Sequence, residues 1–396
     1  MNKIIKYFLI VSVVVSTAMA CTSQDDIYQK YVKKGGYDYP AKAINLSSER
    51  GFQNVTVIWE KPMDPAVKRA MLFWDNYADS VAVDYNDYAD GKVAIKVGNL
   101  EDRSYTFDIV NYDEVGNRSL PAEITISPYG DGWLVSRSER SVTSARMEGN
   151  DAVVKMTKAT DEMYYTKFRY RNRGGEWVEC EKVLKPGENE VVFRDAMRGK
   201  RFQYSSAFCP AAGRDTVWRS WMTSADGISY QLDGKRWSVQ ATSGQVFSEN
   251  TPEKIFDGKN LSGCRWHSSK SEATKLVFPK ILAIDTQVSA GNEFAFTEFR
   301  FFESPESPSL RYIKSFTMYI GNNSYNPNDA RYAENFGIPF LSSVFNTSSA
   351  EQVVSVSRGA TGRYLSIVFI DSWNAADGYI DLWELVPYGY VPSQAD

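Results

Sequence analysis

The sequence predicts an all-β protein of three sandwiches, and three observations point there. From about Tyr39 onward, short stretches alternate apolar and polar residues, as strands with one buried face do. Turn-forming Gly, Pro, Asn and Asp separate them at the close spacing of sandwich folds. The 396 residues exceed what one hydrophobic core usually serves, so two or three domains are expected.

Composition narrows the function. Net charge is -4, from 45 Lys and Arg against 49 Asp and Glu, so no basic face for nucleic acid is indicated. The chain holds 10 Trp, 24 Tyr and 21 Phe, enough to fill cores and leave rings for a stacking surface. There is 1 histidine, so any histidine triad or histidine acid-base pair would have to use His267.

The N-terminus reads as a targeting segment. Lys3 and Lys6 precede an apolar run, Phe8 to Val15, too short to span a bilayer. Ala18, Ala20 and Cys21 follow. The pattern resembles a bacterial lipoprotein signal over residues 1–20 with Cys21 as lipid acceptor, although Ala18 stands where leucine is more usual. An ordinary secretory signal followed by Cys is the alternative. Residues 21–38 read as a tether. Their Asp25-Asp26 pair resembles the export tag of Bacteroidota lipoproteins, which implies display on the outer face of the outer membrane.

Residues 39–129 form the first β unit. Val55 to Glu60, Ala70 to Trp74, Val81 to Val83, Lys92 to Val97, Tyr105 to Val110 and Ile124 to Ile126 are its strands. Leu100 followed by Tyr105, and the Gly116-Asn117 turn, resemble a fibronectin type III domain with its corner tyrosine. A tight hairpin wants that glycine in any case. Residues 130–224 repeat the plan: Ala152 to Met156, Lys167 to Arg171, the Gly174-Gly175 turn, and Gly199 to Ser205, which echoes Arg103 to Phe107. Together the two units resemble an uncharacterised domain family of Bacteroidota surface lipoproteins found ahead of a discoidin-like module. Trp74-Asp75-Asn76-Tyr77 is the distinctive string, and it also reads as a strand end with an Asx turn.

Residues 225–396 form the third unit. Asp257-Gly258 ends one element, and Cys264-Arg265-Trp266-His267-Ser268 starts another. Arg363 to Phe369 alternates, a loop from Trp373 to Tyr379 follows, and Leu382 to Leu385 leads into Tyr388-Gly389. This layout resembles the discoidin-like (coagulation-factor type C, galactose-binding-like) sandwich, which overlaps a large class of carbohydrate-binding modules. A loop between two strands at a sandwich end suits a ligand.

Sugar recognition needs a ring face for pyranose C–H groups and planar polar groups for hydroxyls. The candidate ligand residues are Trp373, Asn374, Asp377 and Tyr379 in one loop, Asn323 and Tyr325 in another, and Arg265 and His267 beside Trp266. In the related modules an aromatic in the loop before the closing strand contacts sugar, which here is Trp373. The plainer readings are a rim aromatic for Trp373, turn residues for the asparagines, and a structural hydrogen-bonding role for His267. The resemblance also implies a structural calcium held by Asp257, Asn260 and Glu384, although the turn is longer than usual and Ser262 stands near the customary threonine. Beyond Cys21, Cys180 and Cys209 share a unit and either pair or remain free, as does Cys264. No stretch carries a catalytic signature such as HExxH or a Gly-rich phosphate loop.

These readings add up to a non-catalytic, lipid-anchored glycan-binding protein. Two fibronectin-like sandwiches form a stalk, and the distal sandwich holds polysaccharide beside an outer-membrane transporter complex. The rivals are a structural or adhesion protein docking a partner, and a glycoside hydrolase.

Overall fold

Alternation builds the first sandwich directly. In β2 (Asn54–Glu60), Val55, Val57 and Trp59 are buried while their neighbours are only partly so. It pairs with β1 (Ile44–Gly51) and β5 (Lys92–Val97) in one sheet. The other sheet runs in the order β4 (Asp79–Asp84), β3 (Arg69–Trp74), β6 (Tyr105–Tyr112) and β7 (Ala122–Ile126). The two inner faces share one core around Trp59, Leu72, Phe107 and Ile109. Trp59 Nε1 donates to the Tyr85 hydroxyl at 3.0 Å, which donates to Asn111 Oδ1 at 2.7 Å. Those bonds satisfy the polar atoms that aromatic burial brings inside.

The corner tyrosine is present. The Tyr105 hydroxyl accepts the Glu101 backbone N–H at 3.0 Å. The turn before β7 is held by Asp113 Oδ1, which accepts the backbone N–H of Val115 at 3.1 Å and of Asn117 at 2.8 Å. Gly116 there has φ 91°, which favours glycine. The string at Trp74 closes the β3–β4 turn: Trp74 pairs with Asp79, and Asp75, Asn76 and Tyr77 are all left-handed.

The structure is a computed structural model describing residues 39–210, 215–329 and 331–396. The signal segment, Cys21 and the tether lie outside the described residues. Contacts cluster the chain into two compact units. One runs to Ser136 and includes Asp215; the other comprises Arg137–Pro210 with Thr216–Asp396.

The second unit holds two sandwiches. The first pairs β12 (Glu190–Phe193), β9 (Asp151–Met156) and β8 (Val142–Glu148) in one sheet. Its other sheet is β11 (Trp177–Glu179), β10 (Met163–Arg171), β13 (Gln203–Phe208) and β14 (Val217–Trp218), with β15 (Met222–Thr223) also on β13. Counted from its own first strand, this order is the same as in the first sandwich. The repeat therefore lies in topology, while residue identity has drifted. Cys180 and Cys264 are free thiols, so no Cys180–Cys209 bridge is formed.

The C-terminal sandwich stacks two sheets. One is β16 (Tyr230–Gln231), β26 (Glu384–Tyr390), β20 (Phe294–Phe302) and β23 (Glu351–Gly362). The other is β17 (Ser238–Ala241), β19 (Lys280–Asp285), β24 (Tyr364–Ser372), β21 (Ile313–Gly321) and β22 (Ile338–Val344). A two-strand ribbon, β18 (Trp266–His267) with β25 (Asp381–Leu382), closes one end. The core includes Trp237, Trp266, Phe296, Phe299, Phe316 and Phe369.

Within this unit the two sandwiches meet through backbone bonds. Ser229 N–H donates to Ala145 O at 2.9 Å, Met147 N–H to Ser229 O at 2.8 Å, and Arg201 N–H to Ala395 O at 2.8 Å. Arg146 Nη1 adds a bond to Glu298 Oε1 at 3.0 Å. The turn cluster at Asp226-Gly227 is thus a built junction.

Candidate functional site

The loop after β24 gathers most of the candidate residues. Its backbone is closed on itself. Ser372 Oγ accepts Asn374 N–H at 3.1 Å and donates to Tyr379 O at 2.6 Å. Gly378 N–H donates to Asn374 O at 2.7 Å. Asn374 Oδ1 accepts Asp377 N–H at 3.1 Å, so that oxygen serves the turn. Gly378 has φ 60°, and a Cβ there would lie 2.5 Å from Lys275 O.

Trp373 projects from this closed loop. Its backbone N–H donates to Tyr312 O at 2.9 Å, and its indole Nε1 donates to Phe345 O at 3.1 Å. The ring is nevertheless 46% exposed. Lys314 Nζ sits 5.2 Å from the ring centroid and 2.5 Å from Asp371 Oδ2. The result is a fixed, half-open indole with a cation and a carboxylate at its border. Asp377 pairs with Lys275 at 3.3 Å on the neighbouring loop.

Tyr379 lies beside Trp373's loop base, edge-on to His267 with ring centroids 5.2 Å apart. Lys270 Nζ is 5.4 Å from the Tyr379 centroid and 4.8 Å from that of Phe247. Lys314, Lys270, Phe247 and Tyr312 are site neighbours that sequence reasoning missed. Phe247 and Lys270 flank segments far from the loop in sequence, and no local motif marks them.

His267 does not reach the surface, and Arg265 reaches it only in part, its side chain 21% exposed. His267 is 3% exposed, packed between Phe247 and Tyr379. Arg265 lies over Trp383 at 5.0 Å and pairs through Nε with Asp381 Oδ1 at 3.3 Å. Asp381 is buried, with His267 Nδ1 3.5 Å away and Trp383 Nε1 donating at 3.3 Å. All four residues of this short ribbon, Trp266, His267, Asp381 and Leu382, are buried, so alternation around Trp266 does not expose His267. These two residues support the floor beneath the loop. Nearby Glu303 is fully buried, with Oε1 accepting Ile313 N–H at 2.8 Å, and burial pushes its carboxyl up to about 7.

Asn323 and Tyr325 belong to the opposite end. Trp373 contacts Tyr312, just before β21, while Asn322 and Asn323 follow its last residue, Gly321. A strand of this length spans roughly 25–30 Å at about 3.3 Å per residue. One small ligand cannot bridge that. Asn323 lines an open cleft of about 780 Å³ with Ile320, Asn322, Ile338, Phe340 and Thr361. Tyr325 packs at a tilt against Phe336 with centroids 4.2 Å apart, and burial raises its phenol above the usual range. Its role there is packing.

The calcium residues converge on one turn. Glu384, at the start of β26, is 7% exposed, and its Oε1 accepts Gly258 N–H at 3.2 Å. Its Oε2 and Asn260 Oδ1 are both buried without a hydrogen-bond partner among the described residues. Burial, with Asp257's charge added, pushes Glu384 up to about 7. Two orphaned buried oxygens beside a second carboxylate are a hard donor set, so these residues fit a calcium ion. No three His, Cys, Asp or Glu side chains gather for a metal among the described residues. The remaining ligands would have to be the amide and backbone carbonyls.

Comparisons with known proteins fall on both halves of the chain. The family model of a domain of unknown function, DUF4998, matches residues 21–215, just short of half the chain. Among curated proteins, none matches. A family 32 carbohydrate-binding module from C. perfringens NanJ, solved with galactose, is 12% identical; the match covers 41% of this chain and 99% of that one, with TM-score 0.32. A SusE-like protein is 11% identical, with 63% and 97% covered and TM-score 0.35. A two-domain fibronectin type III segment of chicken tenascin is 12% identical, with 46% and 99% covered and TM-score 0.21. Among the described residues no helix is long and apolar enough to cross a membrane.

Proposed function

We propose that this protein binds glycan without converting it, through the Trp373 end of its C-terminal sandwich, while anchored by lipid on Cys21 to the outer membrane. The observation that carries the reading is the Trp373 ring, pinned by its own N–H to Phe345 O yet 46% exposed. A ring held this way loses little entropy on binding and offers a face to pyranose C–H groups. Lys314 and its partner Asp371 border it, Lys275 reaches the same loop through Asp377, and these groups supply hydrogen bonds to hydroxyls. Glu303 and Asp381, the carboxylates beneath, are buried, and Asp371 and Asp377 at the border are each paired with a lysine, which disfavours the free acid pair that glycoside hydrolysis needs.

Asp257, Asn260 and Glu384 hold a calcium ion that stiffens the turn before β18. The N-terminal segment places the chain on the cell surface, within a polysaccharide uptake system and beside its outer-membrane transporter. Single-site affinity is modest, roughly 1 μM to 1 mM.

The test is a glycan array of the intact chain and of Trp373→Ala, followed by calorimetry on the best neutral oligosaccharide. Binding by the wild type that the variant loses supports the reading. Equal binding by both removes Trp373 from the site.

A further inference from the structure

The outer face of the second sandwich carries a ladder of alternating rings and cations. Lys167, Arg169 and Arg171 are alternate residues of β10, opposite in direction to the core residues Phe168 and Tyr170. Lys167 Nζ lies 4.7 Å from the Trp218 centroid and 4.9 Å from that of Trp221. The Arg169 guanidinium lies 4.6 Å from Trp221 and 5.5 Å from Trp177. Arg171 completes the series at 4.9 Å from Trp177. The order is Trp218, Lys167, Trp221, Arg169, Trp177, Arg171.

The arrangement is rigid and its charge is unspent. β-register sets Trp177 opposite Arg171, and Gln203 opposite Arg169 on the other side. Arg169 Nε donates to Gln203 Oε1 at 2.6 Å, and Arg171 Nη1 donates to Gly175 O at 2.9 Å. Ser205 Oγ donates to Arg219 O at 2.5 Å, tying the Trp218–Trp221 segment onto β13. A guanidinium has five N–H donors, so both arginines keep donors after those bonds. Among the described residues none of the three cations forms an ion pair with a carboxylate, although Glu179 is in register with Arg169. Trp177 is 43% and Trp218 41% exposed.

We infer that this ladder is a second binding site, for an acidic glycan bearing carboxylate or sulfate groups. The three cations recur every second residue of a strand, so they span about 13 Å, the reach of a few sugar units. Planar guanidinium groups match carboxylate and sulfate oxygens. The exposed indoles give sugar C–H groups an apolar edge. This site is separate from the Trp373 loop and stands without it.

The intact chain is tested by affinity electrophoresis and calorimetry against polygalacturonate, dextran sulfate and neutral dextran, with poly-glutamate as the peptide arm. We expect binding to one or both anionic glycans, weakened by salt, and none to dextran. Polygalacturonate alone assigns carboxylate recognition, and dextran sulfate alone assigns sulfate. Arg171→Gln, at the end of the ladder, weakens binding about tenfold with an unchanged melting temperature; Trp218→Ala serves as the second variant if Arg171→Gln unfolds. Trp373→Ala keeps this affinity, which separates the two sites. The inference is overturned if neither anionic glycan binds, if poly-glutamate binds as tightly, or if Arg169→Gln and Arg171→Gln change stability and leave binding intact.

Discussion

Lys280 and Gln245 form a buried pair: the ammonium lies 2.9 Å from Oε1 of Gln245, and both side chains are shut off from solvent. The same ammonium reaches the carbonyl oxygens of Thr274, Lys275 and Val277 at 3.1, 3.0 and 3.2 Å. One fixed cation therefore collects the loop that carries Lys275, the partner of Asp377 in the candidate site. Burial pushes the Lys280 ammonium down to about 8, so it is still charged at neutral pH.

Replacing that cation should loosen the loop. Lys280→Met leaves Gln245 Oε1 and three carbonyls without their donor, and an unsatisfied buried polar group costs about 1–3 kcal/mol. We expect a loss of about 2–4 kcal/mol in urea unfolding. An unchanged midpoint would show that water replaces the ammonium.

Trp373→Ala should act on binding alone. The ring is half exposed, so its loss costs little core burial. Affinity for the array-selected oligosaccharide is expected to fall at least tenfold, about 1.4 kcal/mol, while the melting temperature moves by no more than a few degrees.

Arg265→Ala should do the reverse. It strands the buried Asp381 carboxylate without its guanidinium. Removing one partner of a buried pair costs about 3–5 kcal/mol; with Arg265 partly exposed, about 2–3 kcal/mol is expected. Glycan affinity measured well below the melting temperature should hold, and a selective loss of affinity in a fully stable variant would place Arg265 in contact with ligand.

Glu384 gives a pH dependence with a defined sign. Its folded carboxyl is raised to about 7 by burial, against an ordinary value of 4.5. Between these values the folded protein binds more protons than the unfolded chain, so Glu384's contribution to stability falls as pH rises through that window. Calcium needs the carboxylate and should release the proton. Added calcium is thus expected to raise the melting temperature more at pH 8 than at pH 5, with Glu384→Gln abolishing the difference. A calcium response independent of pH would argue against Glu384 as a ligand.

Local pattern carried much of the architecture. Alternation in Val55 to Glu60 and Lys167 to Arg171 announced strands, and the corner at Tyr105 announced its sandwich, because side-chain periodicity and turn chemistry are encoded within a few residues. The exposed loop at Trp373 was legible for the same reason. What had to wait for the folded chain was which segments meet. Trp266 pairs with Leu382 and His267 with Asp381, and in that ribbon His267 is buried while Arg265 turns to the Asp381 carboxylate. The strand from Ile313 to Gly321 sends Asn323 to the far end of the sandwich, away from Trp373. Lys280 sits in an otherwise apolar run, and only the loop folded around its ammonium explains it. Burial and proximity arise between residues distant in sequence, and no short-range period contains them.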